Sequence, residues 1–484
     1  GKIAADHVFL SISSTKQFHH LSKGENIWYY GEYPILEVKT EGFEELQKTL
    51  DRYNKEQEEA AREGTQSLME EYPQIEISPD EYLHYTLDAS VFMARADDKV
   101  LSFTKRKQIF LGSEAQTEAS YTGVNIEAKT GKMLEFGDIV KDVPVCMERI
   151  KEEAAELYFD FNNISEETLD RLESYKKEVP GISEEGFSWF LDYEGIGIYL
   201  NPEMTGVIYP ETIYIPYRGN EELFHEEYFR TPERYLTQLV PDTVYILETE
   251  EGMKRFKISH GLLTEAVMRL GIENEDNYIS ELAEGFSAEA YLLHTDKKQN
   301  LLYYLIGGYN DRTEVYVYDL NDEEFNRIEV YYGKPVGEVF IGEERREETM
   351  FVNPDRFRLL TSSEILGSCT VTMDCHLDEE GKIKEENSYY DMLQESDPLI
   401  LKKELSVNSV DEEGNEGEEI LLLPGESLEY VRTDMKSYVD MRTSEGKLCR
   451  IRVEGYEDFD QGERSQSING ELIEDYFEGI VFAN

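Results

Sequence analysis

The chain has 484 residues, enough for about three domains, and at 40% hydrophobic and 12% aromatic it can bury ordinary cores. Its 103 acidic against 48 basic residues give a net charge of −55. Such a surface repels nucleic-acid backbones and anionic membranes and attracts cationic proteins or peptides from a distance.

The chain opens at Gly1 with no signal-like segment and reads as either a trimmed or a mature chain, which leaves room for a removed leader. No run approaches the ~20 apolar residues of a membrane span, so no transmembrane segment is expected. His19-His20 sits in a polar stretch that reads as a solvated loop rather than a metal pair. After Pro34, Phe43, Leu46, Leu50, Tyr53 and Ala60 recur at three- and four-residue steps, predicting a helix over 43–71 with Thr40 as its cap and Pro73 beyond its end. Alternation at Leu83, Tyr85, Leu87, Ala89, Val91 and Met93 predicts a long strand. Asp97-Asp98 turns it into a partner from about Val100 to Leu111.

A second helix is predicted from the stripe Val143, Met147, Ile150, Ala154, Leu157 and Phe161, capped by Asp142 with Pro144 in its first turn. "SEETLDRLESYKKEV" predicts another. "GIGIYLNPEMTGVIYPETIYIPY", residues 195–217, alternates on both sides of a loop rich in Pro, Gly, Met and Tyr. "NEELFHEEYF" predicts a short closing helix, and it lacks the second histidine of a zinc HExxH site.

Beyond Pro241, residues 290–333 read as short strands with frequent turns, and "GLLTEAVMRLGI" as a short helix. The acidic run "DEEGNEGEE" at 411–419 reads as a loop or linker. The strands and tight turns that follow resemble a bacterial SH3-like barrel. Four cysteines are too few for a disulfide scaffold. Cys369 and Cys375 either pair across a hairpin or stay as buried thiols. The carboxylate clusters at 319–324 and 411–419 lack the full EF-hand pattern. No phosphate-cradling glycine loop and no G-x-S-x-G elbow occurs.

"GVNIEAKTGKMLEFGDIVKD" resembles the "N-x-D-x-x-T-G-K-x-L-x-L-x-D-L-F" signature of the RsiV-like extracellular domain family of Gram-positive bacteria. The matching residues are Asn125, Thr130, Gly131, Lys132, Leu134, Asp138 and Ile139. Asn201-Pro202 and Ile215-Pro216-Tyr217 are similar to that family's closing strand pair. The family also supplies the non-catalytic front half of a peptidoglycan deacetylase. The resemblance implies helices on an antiparallel sheet over roughly 30–232 and loops that capture lysozyme, a cationic enzyme. Two departures stand out: "GSEAQ" replaces the family's Gly-Gly-Ala-His, and "EMTGVIYPE" replaces its Tyr-rich loop.

The expected architecture is α+β: N-terminal helices packed on an antiparallel sheet over 30–232, a β-rich middle domain over 233–415, and an SH3-like barrel over 416–484. The expected function is ligand binding or sensing outside the cell or at its surface, secreted or lipid-anchored. The partner would be a cationic protein or peptide, or cell-wall peptidoglycan, with no nucleic acid, cofactor, metal or catalytic residue. The alternative is a hydrolase acting on cell-wall glycan or peptide. Ligand contacts are placed on two loops: Glu114, Gln116 and Tyr121 on the first, Asn201, Pro202, Glu203, Met204 and Tyr209 on the second. Prolines limit the freedom of the second loop, and Met204 and Tyr209 offer adaptable apolar contact.

Overall fold

A computed structural model describes residues 8–73, 82–112, 119–160, 187–201, 211–229, 231–309, 312–342, 346–394, 397–456 and 466–482. Strand accounts for 55% of the structure and helix for 14%, so the fold is predominantly β, which corrects the α+β expectation. The polar N-terminal stretch contributes to this: it forms two long strands instead of a loop. The chain divides into two compact units. The first comprises Gly1–Tyr304, Tyr316–Glu329 and Glu348–Pro354. The second comprises Leu305–Val315, Val330–Glu347 and Asp355–Asn484.

The first unit opens with β1 (Ile12–Lys23), β2 (Ile27–Val38), α1 (Glu44–Glu71), β3 (Leu83–Ala96), β4 (Val100–Leu111) and β5 (Ala119–Glu127). The strands form one sheet in chain order. This sheet is not wholly antiparallel: Ile27–Glu32 of β2 run parallel to Leu83–Asp88 of β3, with α1 as the crossover that a parallel pair requires. The pairing stops at Glu32, and α1 then serves the exposed backbone of β2. Asn54 Oδ1 accepts from Leu36 N at 2.9 Å while its Nδ2 donates to Leu36 O at 2.8 Å, and Gln47 Oε1 accepts from Val38 N at 2.7 Å. These bonds explain polar residues on the buried side of an amphipathic helix. A Cβ on Gly31 would meet Thr65 Oγ1 at 2.4 Å and Ala61 O at 2.5 Å, so α1 rests directly on the strand there. Thr40 is not the helix cap. Its Oγ1 accepts from Ser11 N at 2.8 Å, and Phe43 takes the cap position without a side-chain bond.

A second layer holds α2 (Phe136–Ile139), α3 (Val143–Asp160), β6 (Phe187–Leu191), β7 (Gly195–Leu200) and β8 (Glu211–Pro216). Asp142 Oδ1 accepts from Val145 N at 3.2 Å, as its predicted capping role requires. Met147, Ile150 and Ala154 are buried in one core with Ile196, Ile198, Ile213 and Ile215. The helix predicted over 165–179 lies outside the described residues. In place of the predicted closing helix there are two 3-10 turns, Glu221–Leu223 and Glu226–Tyr228, split where His225 N donates to Ile139 O at 2.9 Å.

The signature residues turn out to hold these layers together. Asn125 Nδ2 donates to Trp189 O at 2.9 Å, and its Oδ1 accepts from Ser102 Oγ at 2.7 Å. Gly131 sits at φ +68°, where a Cβ would press within 2.3 Å of Glu45 O, and its carbonyl accepts from Thr49 Oγ1 at 2.7 Å. Lys132 reaches Asp138 at 2.9 Å, while Asp138 Oδ2 accepts from Glu135 N at 2.8 Å to close the capping box of α2.

Further along are β9 (Arg234–Gln238), β10 (Tyr245–Thr249), β11 (Gly252–Thr264), β12 (Val267–Asn274), β13 (Tyr278–Glu284), β14 (Ser287–Thr295), β15 (Asn300–Gly307), β16 (Thr313–Asp319) and β17 (Arg327–Tyr332). β10 to β13 form a meander, and a second sheet runs in the order β17-β16-β15-β14-β9. "GLLTEAVMRLGI" is not a helix but the tip of the β11–β12 hairpin. Met268, Leu270 and Ile272 are buried at a period of two, while Leu262 and Leu263 stand exposed at the tip.

In the second unit, one sheet takes the strands Lys334–Val336, Phe357–Ser363, Cys369–Leu377, Tyr390–Met392, Ser427–Thr433, Tyr438–Thr443, Leu448–Arg452, Leu405–Val410 and Glu416–Leu422 in that order. The strands between Glu416 and Arg452 thus share a sheet with strands from 334 onward. The acidic run is the turn of a hairpin, with Leu405 to Val410 facing Leu422 to Glu416. Asp411 Oδ1 accepts from Asn415 N at 2.7 Å, and Arg432 donates to the carbonyls of Asp411 and Glu412 at 2.8 and 2.7 Å. Cys369 and Cys375 lie on a single strand and are free thiols.

Candidate functional site

Of the residues proposed for ligand contact, Tyr121 and Asn201 are described; Glu114, Gln116, Pro202, Glu203, Met204 and Tyr209 lie outside the described residues. Tyr121 and Asn201 are buried and hold one another. Tyr121 N donates to Asn201 Oδ1 at 2.9 Å, and Asn201 Nδ2 donates to Tyr121 O at 2.8 Å. The Tyr121 hydroxyl donates to Pro241 O at 3.2 Å. This pair ties the start of β5 to the end of β7, the points from which the two proposed loops depart.

The sheet of β1 to β5 presents a different set of side chains to solvent. Over 28–32 the odd positions Tyr29 and Gly31 of β2 face α1, so the even positions there, and their partners at 18–22 on β1, face outward. Those even positions carry Phe18, His20, Trp28 and Tyr30, and β3 adds His84. Phe18 is 61% exposed. The rings touch as a continuous group: Phe18 and His20 have centroids 6.1 Å apart, and His20 and Trp28 lie 6.5 Å apart. Trp28 and Tyr30 lie 6.5 Å apart and 15° from parallel; Tyr30 and His84 lie 5.7 Å apart and 13° from parallel. Such a set buries well against a ligand because rings lose little rotamer freedom.

Polar groups border the rings. Lys16 Nζ lies 2.6 Å from Glu32 and 2.5 Å from Asp88, and Ser90 Oγ donates to Asp88 Oδ2 at 2.9 Å. Burial pulls the Lys16 amine down, but Asp88 and Glu32 outweigh it and hold the amine above its usual range. One cation thus meets two carboxylates, +1 − 2 = −1, on a chain of charge −55. The sequence does not mark these residues as a group, because their stretch lacks a buried apolar period and His20 reads as part of a solvated loop. The available signal was the enrichment in β-forming rings across "FHHLSKGENIWYYGEY".

A second polar cluster surrounds the β6–β7 turn. Asp192 Oδ1 accepts from Glu194 N and Gly195 N, both at 2.8 Å, and from the Tyr214 hydroxyl at 2.6 Å. Burial raises the Asp192 carboxyl to about 6. Burial, with the Asp192 charge beside it, raises Glu194 to about 8. The Tyr235 hydroxyl donates to Glu194, and His294 Nε2 lies 3.4 Å from it. Burial lowers the His294 imidazole, whose Nδ1 is 2.6 Å from Asn300 Oδ1. The oxygen of Asp192 that faces these donors is committed to shaping the turn. Among the described residues, no three His, Cys, Asp or Glu side chains gather as metal ligands, and no helix is long and apolar enough to cross a membrane.

No family model matches the sequence, and no curated protein matches it. Among solved structures, the fold is similar in part to a DUF3298 family member from Bacteroides fragilis. The identity is 14%, the match covers 45% of this chain and 94% of that one, and the TM-score is 0.29. A DUF3298 family protein from Pseudomonas aeruginosa matches at 14% identity over 46% of this chain and 98% of its own, with a TM-score of 0.28. Likeness at that level assigns neither family nor function.

Proposed function

We propose that this chain is a ligand-binding or sensing protein of the cell exterior, secreted or lipid-anchored, on a Gram-positive bacterium. One observation carries the reading: the contiguous ring surface of Phe18, His20, Trp28, Tyr30 and His84 stands on the solvent side of a rigid sheet. Exposed apolar surface opposes solubility unless something uses it, and groups of this kind mark recognition sites. The resemblance of residues 30–232 to RsiV-like domains supports the same reading. So does the net charge of −55, which favours a cationic protein such as a lysozyme or a cell-wall component over any polyanion.

The test is retention of the whole chain on purified Gram-positive cell wall and on immobilised basic lysozyme, at low and at high salt. Retention on at least one support, weakened by Trp28→Ala with Tyr30→Ala, is expected. Attraction by the acidic surface alone would fade at high salt, where the screening length falls to about 3 Å at 1 M. Failure of both supports to retain the chain at low salt would sink the binding reading.

A further inference from the structure

We infer that the open face of β1 to β3 is a platform for an uncharged pyranose chain, with its sugars seated on Trp28, Tyr30 and His84. The inference rests on the reading of the chain as a binding protein and names the ligand class of this face.

The chemistry of the face selects the ligand. A pyranose ring has one face of C–H groups and an equator of hydroxyls. The C–H face needs an aromatic ring, whose electron-rich surface attracts the weakly positive hydrogens. The hydroxyls need donors and acceptors at the border of that ring. Trp28 is stacked with Tyr30 at 15° between planes, and Tyr30 with His84 at 13°. Lys16, Glu32 and Asp88 lie on the same side of the same strands, at alternate positions. An extended chain of equatorially linked sugars presents repeated C–H faces, which suits a row of rings on an open sheet better than a pocket.

A cationic peptide fits this face less well. Its guanidinium or ammonium groups would seek carboxylates, and Glu32 and Asp88 already hold Lys16 at 2.6 and 2.5 Å. Displacing Lys16 would leave its amine unpaired at the edge of the site. A neutral hydroxyl, in contrast, adds to the ion-paired group without breaking it. The acidity of the rest of the chain neither attracts nor repels such a ligand.

Tryptophan fluorescence reads the site directly. The chain has two tryptophans; Trp189 is buried in the core, and half-buried Trp28 lies on the face. The whole chain is titrated with chitohexaose and with cellohexaose, and separately with polylysine. Saturable change on adding at least one oligosaccharide is expected, with affinity unaltered between about 0.05 and 0.5 M salt because no charge is involved. Tyr30→Ala and His84→Ala should each weaken binding about tenfold, the scale of one lost ring contact. Trp28→Phe should weaken it less, with calorimetry replacing fluorescence for that variant. Thermal melts matching the parent chain show that the variants fold.

Binding of either oligosaccharide that these ring substitutions leave unchanged would overturn the assignment. So would polylysine binding that the substitutions abolish while neither oligosaccharide binds. Retention on cell wall or lysozyme without oligosaccharide binding removes this inference but leaves the binding protein in place. Absence of all binding removes both.

Discussion

Asn201 and Tyr121 form a closed two-bond pair: the amide side chain of one residue receives the backbone N–H and serves the backbone carbonyl of the other. The geometry imitates a rung of a sheet ladder, placed where β5 and β7 have no strand-to-strand pairing. Asn201→Ala leaves both Tyr121 backbone groups buried without these partners. Expected destabilisation is about 2–3 kcal/mol by urea unfolding. Asn201→Asp keeps the acceptor and loses the donor, so its loss should be intermediate in size if the carboxyl is tolerated. An alanine variant as stable as the parent would show that the pair does not hold the layers together.

The close seating of α1 on β2 predicts a sharp contrast between two glycines. Gly31→Ala pushes a methyl into Ala61 O and Thr65 and should cost about 3 kcal/mol. Gly261→Ala, with nothing within 4 Å of the new Cβ, should change the unfolding midpoint little. Equal effects at both positions would contradict the packing described.

Glu194 predicts a pH signature. Its carboxyl moves from an ordinary value of 4.5 to about 8 in the folded chain, chiefly by burial and then by the Asp192 charge. The folded state therefore holds a proton that the unfolded state releases above 4.5, and this group's contribution to stability falls as pH rises from 4.5 to 8. Asp192 acts with the same sign between 3.8 and about 6. His294, held neutral by burial, acts with the opposite sign below 6.5. Comparison of Glu194→Gln with the parent isolates the Glu194 share. The variant should gain relative stability through that window, by at most about 1.4 kcal/mol per pH unit, and no more above it. A pH-independent difference between the two would remove the shift.

Asp440 predicts a large loss in the second unit. It is fully buried and accepts from Arg432 Nε at 2.7 Å, Arg450 Nε at 2.7 Å and Arg450 Nη2 at 2.9 Å. Asp440→Asn takes the buried counter-charge from Arg432 and leaves Arg450 with Glu416 alone, at 3.3 Å, at a cost of about 3–5 kcal/mol. Because Arg432 also carries the carbonyls of Asp411 and Glu412, the variant should expose the acidic turn to proteolysis before the parent chain is cut there.

Apolar periodicity made much of this fold legible. The stripe through Met147, Ile150 and Ala154 gave a helix because one face had to be buried, and the alternation over 83–111 gave the hairpin for the same reason. Where burial does not impose a period, the sequence was silent or misleading. β1 and β2 keep one side wet, and their outward rings resemble neither a core nor a polar face. The Leu-rich tip of β11 and β12 has helix-like spacing only because it projects past the packed part of its own hairpin. The acidic run looked like a linker because its order comes from Arg432 rather than from its own side chains. The candidate face was invisible for a further reason: Phe18, Tyr30 and His84 are neighbours only through pairing between strands.

The parallel pairing of β2 with β3 also governs when the ring surface can exist. Trp28 meets its neighbour His84 only after the intervening chain, with α1 inside it, has closed into a crossover. The β1–β2 hairpin and the β3–β4 hairpin are both local, but their union is not, and such non-local closure is the slow part of folding. A refolding chain should regain its helical signal early and its Trp28 environment late. A nascent or partly unfolded chain thus offers no half-built version of the ring surface, and any ligand of this face would meet only a completed fold.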